Sequence, residues 1–113
     1  MPIKPIRLFG DPVLTTPASL VVDFDKQLRV LVQDLTETML DAPGAGLAAP
    51  QIGVNQQLVI FGSDVANPRY PNRPTIPVTV LINPVITPLS DAEEFDWEGC
   101  LSVPGLRGEV QRW

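Results

Sequence analysis

The chain reads GAGLAAPQ over residues 44–51 and EGCLS over residues 98–102, and these two stretches say most about its structure. Ahead of the first one, apolar residues recur every three or four positions, a spacing that places them on one face of a helix. They are Leu28, Leu31, Val32, Leu35 and Met39. The spacing predicts an amphipathic helix over residues 25–41 whose apolar face packs into a core. Asp23 or Asp25 is expected to cap its start, because a carboxylate accepts hydrogen bonds from the free N–H groups there.

β-Strands are predicted downstream of the helix. Residues 57–61 and 78–82 are rich in β-branched and aromatic side chains and are bounded by turn residues. Residues 85–87 are expected to continue the second of these strands after a bend. Alternation over residues 94–97 predicts a further strand, and residues 108–112 look like the start of another.

One helix followed by strands with short connections predicts an α+β domain built on antiparallel sheet. We expect a single domain over residues 1–113, with residues 67–74 as an exposed, proline-rich loop. The chain stops at Trp113 within a strand pattern and without a polar tail. That ending favours a truncated domain, and a naturally short homologue is the alternative interpretation.

Composition and charge exclude several classes of protein. Hydrophobic residues make up 44% of the chain and charged residues 19%, which is typical of a folded globular protein rather than a disordered one. With 8 basic and 13 acidic side chains the net charge is -5, so no direct contact with nucleic acid is expected. The sequence has no long apolar run and no signal-peptide pattern, so neither a membrane span nor a secretion signal is expected.

Cys100 is the one cysteine in the chain, and it allows three interpretations. Free cysteines are often buried and inert, and this interpretation is favoured when the residue is considered alone. A nucleophilic cysteine normally needs a histidine as its base, and the chain has no histidine. A metal ligand needs companions, because a catalytic zinc or iron site takes three protein ligands. The choice between these interpretations depends on the sequence around Cys100.

The two stretches together resemble the first two signatures of the peptide deformylases. EGCLS matches the second signature at every position, and it follows GAGLAAPQ at the family's usual kind of spacing. The likeness covers nearly the whole chain, including the predicted helix and residues 81–84. The chain is therefore identified as a member of this family, whose enzymes are metal-dependent hydrolases that remove the formyl group from N-formyl-methionyl chains.

The resemblance implies roles for the residues of both signatures. Cys100 would be a thiolate metal ligand. The side-chain amide of Gln51 and the backbone N–H of Leu101 would donate hydrogen bonds to the oxyanion of the tetrahedral intermediate. Gly46 would lie beside the substrate, and Ala45 would form part of the wall around a methionine side chain. From the residues alone, Gly46 is equally well a turn glycine with positive φ.

Further residues are expected to serve the site from its edges. Arg107 resembles a family position near the peptide substrate, although an isolated arginine is more often a solvated surface charge. Glu98 has no ligand role in the family pattern and is expected to support the loop by hydrogen bonds. Gly44 and Gly99 are expected to give structural support.

The resemblance also implies a cofactor, substrates and a place in the cell. The metal would be iron(II) or a substitute such as nickel, cobalt or zinc, and it would activate water for attack on the formyl carbon. The substrates would be N-formyl-methionyl peptides and nascent chains at the ribosome, bound along the sheet as an added strand. A bacterial-type cytoplasm is the expected location, with an organelle as the alternative.

The chain departs from the family pattern in a way that concerns catalysis. The third signature, His-Glu-x-x-His on a C-terminal helix, supplies two ligands and the general base, and it is absent from these 113 residues. We therefore expect the chain alone to hold no stoichiometric metal and to be inactive. Without that helix, the apolar faces of strands such as residues 58–60 should be partly uncovered, which predicts an exposed patch and association with the missing segment or with a second copy of the chain.

Two alternative functions stay open from the sequence. A non-catalytic deformylase-like protein would bind peptides or a partner through the retained sheet. An unrelated cysteine enzyme is the weakest alternative, because the chain has no histidine to act as its base.

Overall fold

The computed structural model describes residues 3–63, 72 and 74–113. Within these residues the chain forms one α-helix, α1 (Lys26–Asp41), and five strands. The strands are β1 (Gly46–Ala48), β2 (Leu58–Ser63), β3 (Ile76–Ile82), β4 (Glu94–Cys100) and β5 (Val103–Arg112). Short 3-10 helices occupy Pro12–Leu14 and Ala49–Ile52. The predicted α+β class is confirmed, whereas most of the predicted loop at residues 67–74 lies outside the described residues.

Helix α1 begins and ends close to where the sequence indicates. Asp25 rather than Asp23 is its N-cap, and Oδ1 of Asp25 accepts a 3.1 Å hydrogen bond from the N–H of Leu28. This carboxylate satisfies a backbone N–H that has no partner within the helix. At the other end, the Gly44 N–H donates to the Met39 carbonyl at 2.8 Å. No helix in the described part of the chain is long and apolar enough to cross a membrane.

Strands β1, β2 and β3 form an antiparallel sheet in that order. Leu58 and Ile60 alternate along β2 and are buried in one cluster with Leu35 and Met39 of α1. Leu47 of β1 lies opposite Ile60 and belongs to the same cluster. Fully burying an aliphatic side chain contributes about 1.5–3 kcal/mol, so this cluster is the main source of stability in the described residues.

Strand β3 ends at Ile82, and the predicted continuation over residues 85–87 is wrong. Asn83 adopts a left-handed backbone conformation, with φ of 50°, that turns the chain out of the sheet. Its side chain binds both backbone groups of Val21, since Oδ1 accepts from the N–H at 2.8 Å and Nδ2 donates to the carbonyl at 2.9 Å. Asparagine adopts this conformation more readily than most residues, and Pro84 then has no N–H to offer a neighbouring strand.

Strands β4 and β5 form a second antiparallel sheet, a hairpin that turns at Leu101 and Ser102. Strand β5 begins at Val103, and the prediction that it starts at residue 108 is wrong. The sequence pattern did not indicate the beginning of β5, because Pro104 and the glycine after it are typical of turns rather than strands.

The hairpin contains a bulge close to its turn. Gly99 lies opposite Arg107, whereas the next residue, Cys100, lies opposite Val103. Residues 104–106 are therefore extra on the β5 side and have no partners on β4. A bulge of this kind bends the strand and redirects the side chains beside it, and bulges are frequent next to functional sites.

The hairpin lies against the rest of the protein mainly through its turn. Leu101 packs on the core, and the Phe9 N–H donates to the Ser102 carbonyl at 2.7 Å. Along their length, β4 and β5 make little contact with any other helix or strand that the structure describes. Phe95 and Trp97 are consequently 63% and 53% exposed. The apolar surface expected at residues 58–60 is not exposed, because Leu58 and Ile60 are buried against α1. Exposed apolar side chains lie on the hairpin instead, and association through apolar surface stays a prediction.

Candidate active site

A cleft opens between the first sheet and the turn of the hairpin. Its volume is about 1170 Å³. It is lined by Pro43, Gly44, Ala45, Gly46, Gln51, Gly99, Cys100, Leu101, Val103, Pro104, Gly105, Leu106 and Arg107. Eight of the nine site residues predicted from the sequence are among them, and Glu98 is the exception. Two distant parts of the sequence, residues 43–51 and 99–107, thus meet at this cleft.

The side-chain amide of Gln51 has a defined orientation. Gln51 lies in the 3-10 helix Ala49–Ile52, and its Oε1 accepts a 2.9 Å hydrogen bond from the Ala48 N–H. A backbone N–H can only donate, so the amide oxygen must face Ala48 and the amide nitrogen must face the hairpin. Nε2 donates to Ser102 Oγ at 3.0 Å and lies 3.5 Å from Cys100 Sγ. The backbone of this turn therefore orients a hydrogen-bond donor toward the cysteine.

Cys100 is the last residue of β4, and its thiol is free and exposed at the cleft. The register shift follows Gly99, so Cys100 lies where the regular pairing of β4 with β5 ends and the turn begins. The inert, buried cysteine that is favoured for the isolated residue does not fit this position. An exposed thiol beside a polar amide is instead accessible to a ligand or a substrate.

Leu101 lines the cleft next to Cys100. Among the described residues, no acceptor is found for its backbone N–H, because the turn places it outside the β4–β5 ladder. Gly44 allows this turn to come close, since a Cβ at Gly44 would lie 2.7 Å from Leu101 Cδ1. The lack of a side chain at residue 44 thus helps to set the width of the cleft.

Gly46 belongs to strand β1, and its φ is not in the positive range. The alternative interpretation of Gly46 as a turn glycine is therefore wrong. It pairs with Phe61 of β2, and a Cβ there would lie 3.3 Å from the Ile60 carbonyl oxygen. Ala45 precedes it and is exposed at the cleft.

Arg107 and Glu98 lie on the hairpin but play different parts in it. Arg107 lines the cleft on the side of the bulge. Glu98 instead accepts hydrogen bonds from Arg112, with its two oxygens each 2.8 Å from a guanidinium nitrogen. The hydrogen bond from this guanidinium lowers the pKa of Glu98, and the carboxylate in turn raises the pKa of Arg112. Glu98 therefore joins β4 to β5 rather than supporting the cleft directly.

The extended segment ahead of Pro12 forms backbone hydrogen bonds to both sides of the cleft. The Arg7 N–H donates to the Gln51 carbonyl at 2.6 Å, and two residues later the Phe9 N–H donates to the Ser102 carbonyl at 2.7 Å. One short stretch of backbone thus bonds the 3-10 helix and the hairpin turn at the same time. This arrangement fixes the separation of Gln51 from the turn.

The sequence analysis missed several residues of the site. Ser102 received no role, although it is only 3% exposed and binds Gln51. Its place in the EGCLS signature was the one local signal, and that signal could not show its partner, which is 51 residues away in the chain. The wall formed by residues 104–106 was also missed, and here the dipeptide Pro104-Gly105 was a signal of an irregular backbone.

The donor set at the cleft does not complete a metal site. In residues 3–63, 72 and 74–113, no group of three or more His, Cys, Asp or Glu side chains lies close enough to hold an ion. Cys100 is the metal-ligating side chain among the residues that line the cleft. The Gln51 nitrogen beside it is a donor rather than a ligand. Cys100 therefore supplies one of the three protein ligands that a catalytic ion requires.

Comparison with protein families assigns the chain. The family model described as polypeptide deformylase matches residues 3–113. The chain belongs to this family. Peptide deformylase 1 of Nitrosomonas europaea is 55% identical over 112 residues, which are 98% of this chain and 63% of that protein. Peptide deformylase 2 of Ralstonia nicotianae is 58% identical, again over 98% of this chain and 63% of its own length. The chain thus spans less than two thirds of these relatives.

Deformylase crystal structures share the fold of this chain. The class I type b peptide deformylase from Acinetobacter baumannii, with Met-Ala-Ser bound, superposes with a TM-score of 0.88 and 34% identity. That match covers 97% of this chain and 70% of the crystallised one. The deformylase of Synechococcus elongatus in complex with actinonin gives a TM-score of 0.83 and 38% identity over 99% of this chain and 56% of its own. Helix α1 and both antiparallel sheets therefore match deformylase structures.

Proposed function

We propose that this chain carries the thiolate and the substrate-contacting half of a peptide deformylase, which hydrolyses the N-formyl group of N-formyl-methionyl peptides and releases formate. One observation carries the proposal. The Gln51 amide nitrogen lies 3.5 Å from Cys100 Sγ in an open cleft, although the two residues are 49 positions apart in the chain. In a member of the deformylase family, hydrolysis would need a metal ligand and an oxyanion donor side by side. The contact between the two signatures would supply both.

Two N–H groups are suited to stabilise charge in this reaction. Attack on a formyl carbon places negative charge on the formyl oxygen, and fixed donors near that oxygen lower the barrier by about 3–4 kcal/mol each. Nε2 of Gln51 is held toward the hairpin, and the backbone N–H of Leu101 has no acceptor among the described residues. We assign the oxyanion-binding role to these two groups because both border the cleft.

The substrate peptide is proposed to lie along β1. Among the described residues this strand is at the edge of its sheet, with β2 on one side only, so its other edge is open to an added strand except at the Ala48 N–H, which donates to Gln51 Oε1. Gly46 has no side chain to hinder that approach, Ala45 would contact the methionine side chain, and Arg107 would contact the peptide from the opposite wall. The Met-Ala-Ser peptide bound to the Acinetobacter baumannii deformylase begins with methionine, which supports this class of substrate.

The proposed cofactor is a divalent ion, iron(II) or nickel, cobalt or zinc in its place. Cys100 would hold it together with two ligands that the described residues do not supply. The substrates in the cell would be nascent chains that emerge from the ribosome in a bacterial-type cytoplasm. Activity is accordingly expected from the completed protein, by which we mean residues 1–113 joined to a C-terminal segment that carries His-Glu-x-x-His.

Two substitutions in the completed protein test the proposal. Cys100→Ala should abolish metal binding, because it removes a ligand. Gln51→Ala should retain the metal but lower kcat for a formyl-Met peptide by about 10²–10³, because it removes one oxyanion donor. Metal content and initial rates measure the two effects.

Gln33→Ala is the matched control for the glutamine. It makes the same chemical change on α1, where Gln33 bonds Glu37 outside the cleft, and should leave both readouts unchanged. If Gln51→Ala lost metal as readily as Cys100→Ala, the division of roles would be wrong. If the completed protein bound formyl-Met peptides without hydrolysing them, the alternative of a non-catalytic binding protein would replace the proposal.

A further inference from the structure

Ser102 is a buried polar residue in an otherwise accessible part of the hairpin. It is 3% exposed, and Thr38 on α1, at 2%, is the other buried polar residue among those described. Ser102 Oγ accepts a 3.0 Å hydrogen bond from Gln51 Nε2. A hydroxyl withdrawn from water in this way gains little unless it has a specific partner. The partner here is the proposed oxyanion donor.

Two hydrogen bonds together determine where the Gln51 amide points. The Ala48 N–H holds Oε1 at 2.9 Å, and Ser102 Oγ accepts one Nε2 proton at 3.0 Å. The second Nε2 proton has only Cys100 Sγ, a weak acceptor at 3.5 Å, so it remains available for a better acceptor. Ser102 thereby occupies one donor of the amide and leaves the other directed at the cleft.

The position of Ser102 is itself fixed by backbone contacts. Its carbonyl accepts from the Phe9 N–H at 2.7 Å, while the carbonyl of Gln51 accepts from the Arg7 N–H at 2.6 Å. Both ends of the Gln51–Ser102 bond are therefore attached to the same short segment of chain. This shared attachment constrains the distance between the Gln51 and Ser102 side chains.

We propose that Ser102 is a positioning residue for the reaction, which acts by holding the Gln51 amide so that one of its N–H groups faces the oxyanion. This inference rests on the proposed function, because it concerns the donor role of Gln51. It assigns to Ser102 an effect on turnover that passes entirely through Gln51. Substrate affinity and metal ligation do not depend on the Ser102 hydroxyl.

A double-mutant cycle in the completed protein tests this inference. Ser102→Ala should lower kcat about tenfold for a formyl-Met peptide, with KM and metal content unchanged, because the amide loses one of its two anchors. In a Gln51→Ala background the same substitution should cause no further loss. Ser102→Cys retains a side chain of similar shape with a weaker acceptor, so its kcat should fall between that of the parent protein and that of the Ser102→Ala variant.

Thr38→Val is the matched control. It also removes a buried hydroxyl, whose hydrogen bonds go to the Lys4 N–H at 2.9 Å and to the Asp34 carbonyl at 2.7 Å rather than to Gln51. Its kcat should equal that of the parent protein, with lower thermal stability as its only effect. If Ser102→Ala lowered kcat equally in both backgrounds, or lowered it no more than Thr38→Val, the positioning role would be overturned.

A measurement that needs no turnover separates this inference from the proposed function. Hydrogen exchange of the Gln51 side-chain amide, followed by NMR in the completed protein, should become several-fold faster in Ser102→Ala and stay unchanged in Thr38→Val. If Gln51→Ala kept full kcat, the oxyanion role of Gln51 would be wrong. The exchange rate in Ser102→Ala would still show whether Ser102 holds the amide. Unchanged exchange in Ser102→Ala would overturn the inference whatever the activity.

Discussion

The two halves of the cleft are built in opposite ways. The packed unit consists of α1, strands β1–β3 and the 3-10 helix Ala49–Ile52, and it buries Leu35, Met39 and Ile60 completely. The β4–β5 hairpin instead leaves its aromatic residues more than half exposed and contacts the packed unit mainly at its turn. Gln51 belongs to the packed unit and Cys100 to the hairpin. The site is therefore assembled across a boundary, with stability concentrated on one side of it.

This difference shows what holds the site together. The hairpin is placed by a few specific contacts at its turn, namely the bonds of Ser102 to Phe9 and Gln51 and the close approach of Leu101 to Gly44. Polar contacts of this kind are individually worth only about 0.5–1.5 kcal/mol. The geometry of the cleft should thus be more sensitive to small changes than the packed unit is.

The largest expected effect concerns catalysis, which we expect neither half to perform. The 113-residue chain should bind no stoichiometric divalent metal and show no deformylase activity, because its cleft offers one thiolate where three ligands are needed. Metal analysis and turnover of a formyl-Met peptide check this, with the completed protein as the positive control. Chelator-sensitive turnover by the chain alone would contradict it.

The next effect tests where stability lies. Leu35→Ala in the packed unit should lower the free energy of unfolding by about 2–5 kcal/mol, because it empties a fully buried position. Trp97→Ala in the hairpin should cost under about 1 kcal/mol, because this residue is already half exposed. Urea unfolding of the 113-residue chain measures both. Equal losses would show that the hairpin contributes to the core as much as α1 does.

Glycine substitutions sharpen the same contrast. Gly62 in β2 has φ of 113°, and a Cβ there would collide with the Pro77 carbonyl and lie 2.7 Å from the Ile76 carbonyl oxygen. Gly62→Ala should therefore destabilise the sheet by about 3 kcal/mol or more. Gly105 in the bulge has φ of 77° with open space around it, so Gly105→Ala should cost only the left-handed strain of about 1–2 kcal/mol. Thermal unfolding compares the two variants, and a larger loss for Gly105→Ala would contradict the comparison.

The smallest effect is a pH dependence confined to the hairpin. The Arg112 guanidinium lowers the pKa of Glu98 in the folded protein. A carboxyl whose pKa is lowered by folding stabilises the fold above its ordinary pKa, and that contribution is lost as the pH falls through the lowered value. Hydrogen exchange of the β4–β5 amides should therefore become faster below about pH 4.5, the ordinary pKa of a glutamate. Glu98→Gln should remove this pH dependence. Glu109→Gln, which leaves the ion pair intact, is the control and should behave like the parent.

Local patterns predicted the elements whose causes are local. The spacing of apolar residues identified α1, and the carboxylate of Asp25 marked its start, because both depend on residues within a few positions of one another. The short strand β1 was missed, since three residues carry no periodic signal and it forms only because β2 lies alongside it. The continuation of β3 was wrong for a related reason. Asn83 leaves the sheet to bind Val21, a partner 62 residues away.

The sequence by itself determined the family of this protein, its helix, its class of fold and eight of the residues that border the cleft. Those follow from short motifs and from apolar spacing, which are properties of neighbouring residues. Only the tertiary structure decided that the Gln51 amide faces Cys100, that Glu98 faces away toward Arg112, and that Ser102 has a partner at all. Each of these depends on the register of the strands and on contacts between distant segments, because an amide or hydroxyl has no fixed direction until the folded chain supplies the groups around it.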